Sequence, residues 1–148
     1  MRTPGWAKRV ENYLKRTGGR LTSQRLQVAR VFMEMEGHPS VTEIHQEVVK
    51  LYPRIGRATV YRTLKLLVDA GLASVRDFGN GVRHYEPVKS TMEHYHLVCT
   101  LCHKIVEFTL PQLGKEAVRV AREHGFEFTG LEFEVRGLCP ECARKVRQ

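Results

Sequence analysis

Cysteine occurs only four times in this chain, as two Cys-x2-Cys pairs, Cys99 with Cys102 and Cys139 with Cys142. Pairs at that spacing, each in a tight knuckle, can deliver four thiolates to one tetrahedral zinc ion. The chain must then close 36 intervening residues back on themselves, a length that a helix and a strand hairpin fill. Two other chemistries compete. Neither pair is expected to open the helix of a thioredoxin-like βαβ unit, which argues against a redox pair. Disulfides need an oxidising compartment. The basic start "MRTPGWAKRVENYLKR" has no apolar h-region, and no apolar run reaches the ~18 residues of a membrane span, so the chain is read as cytoplasmic, with no membrane partner. Four zinc-binding thiolates remain.

The cysteines sit in one half and the positive charge in the other. Residues 1–70 carry 13 Lys/Arg against 6 Asp/Glu, residues 71–93 carry three of each, and residues 94–148 carry 8 against 7. Clustered cationic charge suits a polyanion, because each neutralised phosphate releases condensed counterions. Helices are predicted at Pro4–Thr17 (breaker Gly18–Gly19 after it), from Thr22 or Ser23 with a stripe of Leu26, Ala29, Phe32 and Met33, from a Ser40/Glu43 capping box to about Leu51, and over Arg57–Ala70 closed by Gly71. The last places Val60, Leu64, Leu67 and Val68 on one arc. Tyr61, Arg62 and Lys65 lie opposite, with Thr59 near the helix start, the layout of a helix that reads the major groove. "LASVRDFGNGVRHYE" (Leu72–Glu86) reads as two strands around a Gly-Asn-Gly turn, the wing of a winged helix, whose Arg76 and Arg83 would touch phosphates.

In the other half, "HYHLVC" and "KIVEF" read as strands flanking the turn at Cys102. A helix starts at Pro111 with an apolar stripe of Leu113, Ala117, Val120 and Ala121. "FEFTGLEFEVRG" (Phe126–Gly137) alternates as a strand pair with a bulge at Thr129–Gly130. So small a core predicts pairing with a second copy, a homodimer. His94 and His96 alternate on one strand and share a face. With Glu107 on the neighbouring strand, Glu86 before the hinge and His38 before the third helix, they compose an N/O donor set. Such a set suits Fe(II), Mn(II) or, less selectively, Zn(II). The expected fold class is α+β: a winged-helix DNA-binding domain (1–86), a hinge (87–93), and a small α/β dimerisation and metal-binding domain (94–148) with the four-cysteine zinc.

"RLTSQR" (Arg20–Arg25), "GHPSVTEIH" (Gly37–His45), "IGRATVYRTLKLLVDAGL" (Ile55–Leu72), "HYHLVCTLCHKIVEF" and "CPEC" together resemble the ferric uptake regulator (Fur) family of bacterial metal-responsive repressors, over nearly the whole chain. The resemblance implies a homodimeric, metal-dependent transcriptional repressor acting on an AT-rich palindromic double-stranded DNA operator, and not an enzyme acting on a small organic substrate. It implies structural zinc on Cys99, Cys102, Cys139 and Cys142, and regulatory Fe(II) or Mn(II) on His38, Glu86, His94, His96 and Glu107. Tyr61 and Arg62 would lie in the major groove, with Arg20 near the minor groove. Iron-responsive control of iron uptake is the leading expectation, and peroxide, zinc or manganese sensing through the same site the alternative. Glu93, Tyr95 and Leu131 stand where many iron-sensing members place a further metal site, so that site is not expected. Tyr95 between the histidines resembles the peroxide-sensing branch, which usually has Asp at the place of Glu107. The zinc-sensing branch adds a hinge cysteine that this chain lacks. His45, His84, His103 and His124 match no ligand position and are read as surface or packing residues.

Overall fold

A computed structural model describes residues 4–88 and 94–147. The chain divides into two compact units, Met1–Lys89 and Ser90–Gln148. Most of the expected hinge, residues 89–93, lies outside the described residues.

The first unit packs α1 (Gly5–Thr17), α2 (Ser23–Glu34), α3 (Val41–Leu51) and α4 (Arg57–Asp69) with the hairpin β1 (Ala73–Asp77) and β2 (Arg83–Pro87). Side-chain chemistry sets the boundaries. Thr22 caps α2 by accepting from the Arg25 amide. The Ser40 hydroxyl accepts from the Glu43 amide while the Glu43 carboxylate takes the Ser40 N–H, a complete capping box for α3. The end of α4 is a Schellman motif: the Leu72 N–H reaches the Leu67 carbonyl at 2.8 Å and the Gly71 N–H the Val68 carbonyl at 2.9 Å. That closure puts Gly71 at φ 68°, where a side chain is disfavoured. Val10, Val28, Phe32, Ile44, Val48, Val60, Leu64 and Leu67 make the core, each at 1% exposure or less. The expected α2 stripe shifts: Val28, Ala29 and Phe32 are buried, whereas Leu26 and Met33 are half-exposed. The helix also ends at Glu34, before Gly37.

The second unit has a three-stranded sheet ordered β4 (Ile105–Phe108), β3 (Tyr95–Cys99), β5 (Glu134–Gly137), with α5 (Pro111–Glu123) and a short α6 (Pro140–Val146). Two expectations are corrected here. Residues 126–133 form no strand, and Phe126 is 75% exposed; the alternation there has no neighbouring strand to pair with. Only Glu134–Gly137 joins a sheet, parallel to β3 rather than as a hairpin. Cys139 stands at the N-cap position of the short α6 without a side-chain cap bond, and no strand follows that helix among the described residues, so the pair opens no βαβ unit. Tyr95, Phe108 and Phe133 form an aromatic cluster with ring centroids 5.7–6.5 Å apart. None of α5 is buried, and its Leu113, Ala117, Val120 and Ala121 line an open groove of about 650 Å³ with Phe126 and Phe128. Among the described residues no helix is long and apolar enough to cross a membrane.

Candidate metal centres and nucleic-acid interface

The four cysteines meet. Cys99 ends β3 and Cys102 closes the first knuckle, in which the Cys99 N–H reaches the Lys104 carbonyl at 2.9 Å and the His103 N–H the Cys99 carbonyl at 3.0 Å. This turn holds His103 at φ 59°, the one non-glycine residue with positive φ among those described. The parallel pairing of Cys99 with Gly137, and the Thr100 N–H on the Gly137 carbonyl at 2.8 Å, bring the second knuckle alongside. One ligating atom from each of the four lies within 4.8 Å of the others. Cys102 Sγ and Cys139 Sγ are 3.8 Å apart, close to the edge of a tetrahedron with Zn–S bonds of about 2.3 Å. All four are free thiols.

The thiols do not ionise alike. The backbone N–H groups of Cys102 and Cys139 point at the Cys99 sulfur, the latter at 3.3 Å, and lower its pKa to about 6. Burial, then the thiols of Cys139, Cys102 and Cys99, push Cys142 up to about 12. Four thiolates are stable together only when a cation offsets their repulsion, so this donor set fits a divalent, thiophilic ion. Bound there, zinc would tie β3, β5 and α6 through side chains that a seven-residue helix could not hold by packing alone.

The nitrogen and carboxylate donors come as two groups. In the first unit, His38 Nε2 stands 3.6 Å from Glu86 Oε2, both side chains largely buried. His38 precedes the capped start of α3, and Glu86 lies on β2. The His38 ring meets Phe78 edge-on, with centroids 5.2 Å apart. His84 bonds the His38 carbonyl through Nδ1 at 2.8 Å. Sequence reasoning assigned His84 no role, although its period-two spacing from Glu86 puts both on one face of β2. In the second unit, the rings of His94 and His96 lie 5.2 Å apart at an interplanar angle of 84°, and His96 is 2% exposed. Glu107 is paired across from His96 on β4 and is exposed.

On α4 the expected face is presented to solvent. Tyr61 is 41% exposed, and Arg62 and Lys65 are exposed beside it. Lys65 is not a free cation: its ammonium is 2.9 Å from Asp69 Oδ2, and that carboxylate raises its pKa. Thr59 is half-buried, its carbonyl accepting from the Thr63 hydroxyl at 2.7 Å. Arg20 is exposed between α1 and α2, its carbonyl accepting from Arg25 at 2.9 Å. Of the wing arginines, Arg83 is exposed and Arg76 is half-buried with its own partner.

A model of the ferric uptake regulator family matches residues 16–136. The ferric uptake regulation protein of Rhizobium leguminosarum is 37% identical over 132 residues, 89% of this chain and 92% of that protein. The peroxide-responsive repressor PerR of Staphylococcus epidermidis is 32% identical over 129 residues, 87% and 85% of the two chains. The Helicobacter pylori ferric uptake regulator Fur, whose structure has three functional metal-binding sites, superposes with a TM-score of 0.77 at 25% identity, covering 93% and 91%.

Proposed function

This chain belongs to the ferric uptake regulator family and is a metal-dependent, DNA-binding transcriptional regulator with a winged helix, a dimerisation domain and a zinc site of cysteines, and we propose that it is a cytoplasmic, iron-responsive, non-enzymatic repressor of iron-uptake genes. In this reading the domains are residues 1–86 and 94–148 with a hinge over 87–93. One Fe(II) or Mn(II) ion is shared between His38 and Glu86 of the first domain and His94, His96 and Glu107 of the second. The carrying observation is the way the donors pair within each unit, His38 with Glu86 and His94 with His96. Neither pair fills the coordination sphere of such an ion, whose ligand number exceeds four.

The mechanism follows from that division. Regulators of this family act as dimers on DNA, and here a second copy would cover the apolar groove of α5. The ion supplies a bond between domains, and these side chains fix its direction. Holding both domains fixes the spacing of the two recognition helices, which must match half-sites one helical turn or a multiple apart on an AT-rich palindrome. Tyr61 and Arg62 read base edges there, Arg20 reaches the minor groove, and Thr59 and Lys65 contribute at the rim. A hundredfold gain in operator affinity needs only about 2.8 kcal/mol of coupling, small beside several metal–ligand bonds.

The test is fluorescence anisotropy on such a palindrome, with zinc-loaded protein titrated anaerobically with Fe(II), Mn(II) and Zn(II). Iron sensing requires tightening with Fe(II) and Mn(II), and its loss in His96→Ala while the dimer and its thiol-bound zinc survive. A response unaltered in His96→Ala defeats the shared-ion reading. Tyr95, between the two histidines, favours peroxide sensing as a second reading. In that case peroxide releases the iron-loaded protein from DNA, and mass spectrometry finds one oxygen atom added to a ligand histidine. Tightening by Zn(II) alone at low free metal would assign zinc sensing instead.

A further inference from the structure

We infer that His84 is a positioning residue that couples the metal state of His38 to the turn at the tip of the wing. The inference rests on the reading of His38 as a regulatory ligand.

The imidazole of His84 bonds in two directions. Its Nδ1 lies 2.8 Å from the His38 carbonyl oxygen, which can only accept, so the proton is on Nδ1. Its Nε2 lies 3.2 Å from Nδ2 of Asn80 in the wing turn. The orientation of that amide is fixed independently, because Asn80 Oδ1 accepts from the Val82 N–H at 3.0 Å. Nδ2 must therefore point at His84, and Nε2 accepts from it. A single tautomer satisfies every partner.

Packing reinforces the link. Phe78 is 1% exposed, and its ring touches both His38 and His84, with centroids 5.2 and 5.5 Å away. Ser40 bridges to His84, and the Tyr85 N–H bonds the Pro39 carbonyl at 2.9 Å, so His84 and the residue after it both hold the segment that carries His38. At the far end, Asp77 Oδ1 takes the N–H groups of Gly79 at 2.8 Å and Gly81 at 3.2 Å, which leaves Asn80 as the turn's side-chain contact to His84. A histidine ligand is usually oriented by what bonds its surroundings, and such partners change metal affinity by about 10–100-fold. Here the orienting group also holds the wing turn. An ion that fixes His38 thus restrains the turn, and DNA that restrains the turn tightens the metal site by the same factor.

The experiment uses the full-length, zinc-loaded protein with Mn(II) as the probe, in wild type, His84→Ala, His84→Asn, Asn80→Ala and His38→Ala. Two quantities are read: Mn(II) affinity without DNA, and the Mn(II)-induced slowing of hydrogen exchange at the amides of Gly79, Gly81 and Val82. Wild type shows slowing. His84→Ala weakens Mn(II) binding about tenfold and abolishes the slowing. His84→Asn, whose amide nitrogen takes the place of Nδ1, regains Mn(II) affinity to within about threefold of wild type but not the slowing, since nothing replaces Nε2. Asn80→Ala, a change in an exposed turn, also loses the slowing. Wild-type slowing in Asn80→Ala and His84→Asn overturns the coupling, as does Mn(II) affinity in His84→Asn no better than in His84→Ala. His38→Ala separates the two readings. Undiminished Mn(II) binding there removes the ligand assignment and the coupling with it, whereas lost binding with wild-type slowing in Asn80→Ala removes the coupling alone.

Discussion

Removing the Ser40 hydroxyl tests whether the first turn of α3 holds the His38 segment in place. The hydroxyl makes two bonds, accepting from the Glu43 N–H at 3.3 Å and lying 2.7 Å from Glu43 Oε2 as donor. The Ser40 N–H to Glu43 Oε2, at 2.7 Å, survives substitution by alanine. Loss of a serine cap costs about 1 kcal/mol, within a range of about 0.5–2. In a unit of this size that lowers the melting temperature by roughly 4–8 °C per kcal/mol. Part of the loss depends on charge. The Ser40 N–H, and after it the hydroxyl, hold the Glu43 carboxyl below its ordinary value of 4.5. A carboxylate lowered in the fold contributes fully above its unfolded value, and the contribution fades as pH falls through the folded one. The gap between wild type and Ser40→Ala is therefore full at pH 7. It narrows below about pH 4.5 without closing, since the bond to the Glu43 N–H carries no charge dependence.

The assay is urea denaturation followed by fluorescence of Trp6, the only tryptophan, which packs against the core of the first unit and reports on that unit. Glu43→Gln supplies the control: its deficit is full above about pH 4.5, shrinks as pH falls from there, and vanishes below the folded value. A Ser40→Ala deficit that is constant from neutral pH to below 4, or absent at pH 7, would refute the reasoning.

Four further outcomes follow. Arg62→Ala weakens operator binding by about 1–3 kcal/mol, whereas Lys65→Ala costs about threefold or less because Asp69 already neutralises that ammonium; anisotropy across a salt series separates them. His103→Gly relieves a left-handed residue and raises the stability of the zinc-loaded second unit by about 1 kcal/mol after the entropy of glycine is subtracted, read as the temperature at which a chromogenic chelator captures the zinc. Zinc affinity itself falls as pH drops through about 6, where Cys99 takes up its proton. Val120→Glu, in the α5 groove, turns the dimer to monomer in light scattering while the Trp6-detected transition of the first unit is unchanged.

Signals confined to a few neighbouring residues were legible before any coordinates. The Ser40/Glu43 box, Gly71 after α4, the turn at Gly79–Gly81 and the cysteine knuckles each depend on groups no more than five residues apart, and each forms. What failed depends on distant partners. The alternation at Phe126–Phe133 has the right period for a strand, but a strand exists only where another lies beside it, and β3 takes only Glu134–Gly137. The α2 stripe turned toward Val28 because its neighbours α3 and α4 choose the buried face. Lys65 was read as a groove cation, although Asp69 stands one helical turn away in sequence. His84 was passed over for a similar reason, as its partners lie 4 residues away at Asn80 and 46 away at His38.

The two metal chemistries differ in what they ask of the chain, and that difference separates scaffold from sensor. The four thiols come from one unit, are brought together by the β3–β5 register, and include one group ionised near neutrality and one that keeps its proton until about pH 12. Such a set gains most from an ion that stays, because release would restore the repulsion of clustered thiolates or require several protons at once. The proposed regulatory donors are divided between units, and no unit alone supplies enough of them for Fe(II) or Mn(II). Under that proposal, affinity there would include the work of holding the two units in one arrangement, and would respond to whatever else fixes that arrangement. Operator DNA would be such a restraint, and by linkage it would tighten the metal by the factor with which the metal tightens DNA. A chain with all its donors in one unit would lack this direct link between metal binding and the arrangement of its two units.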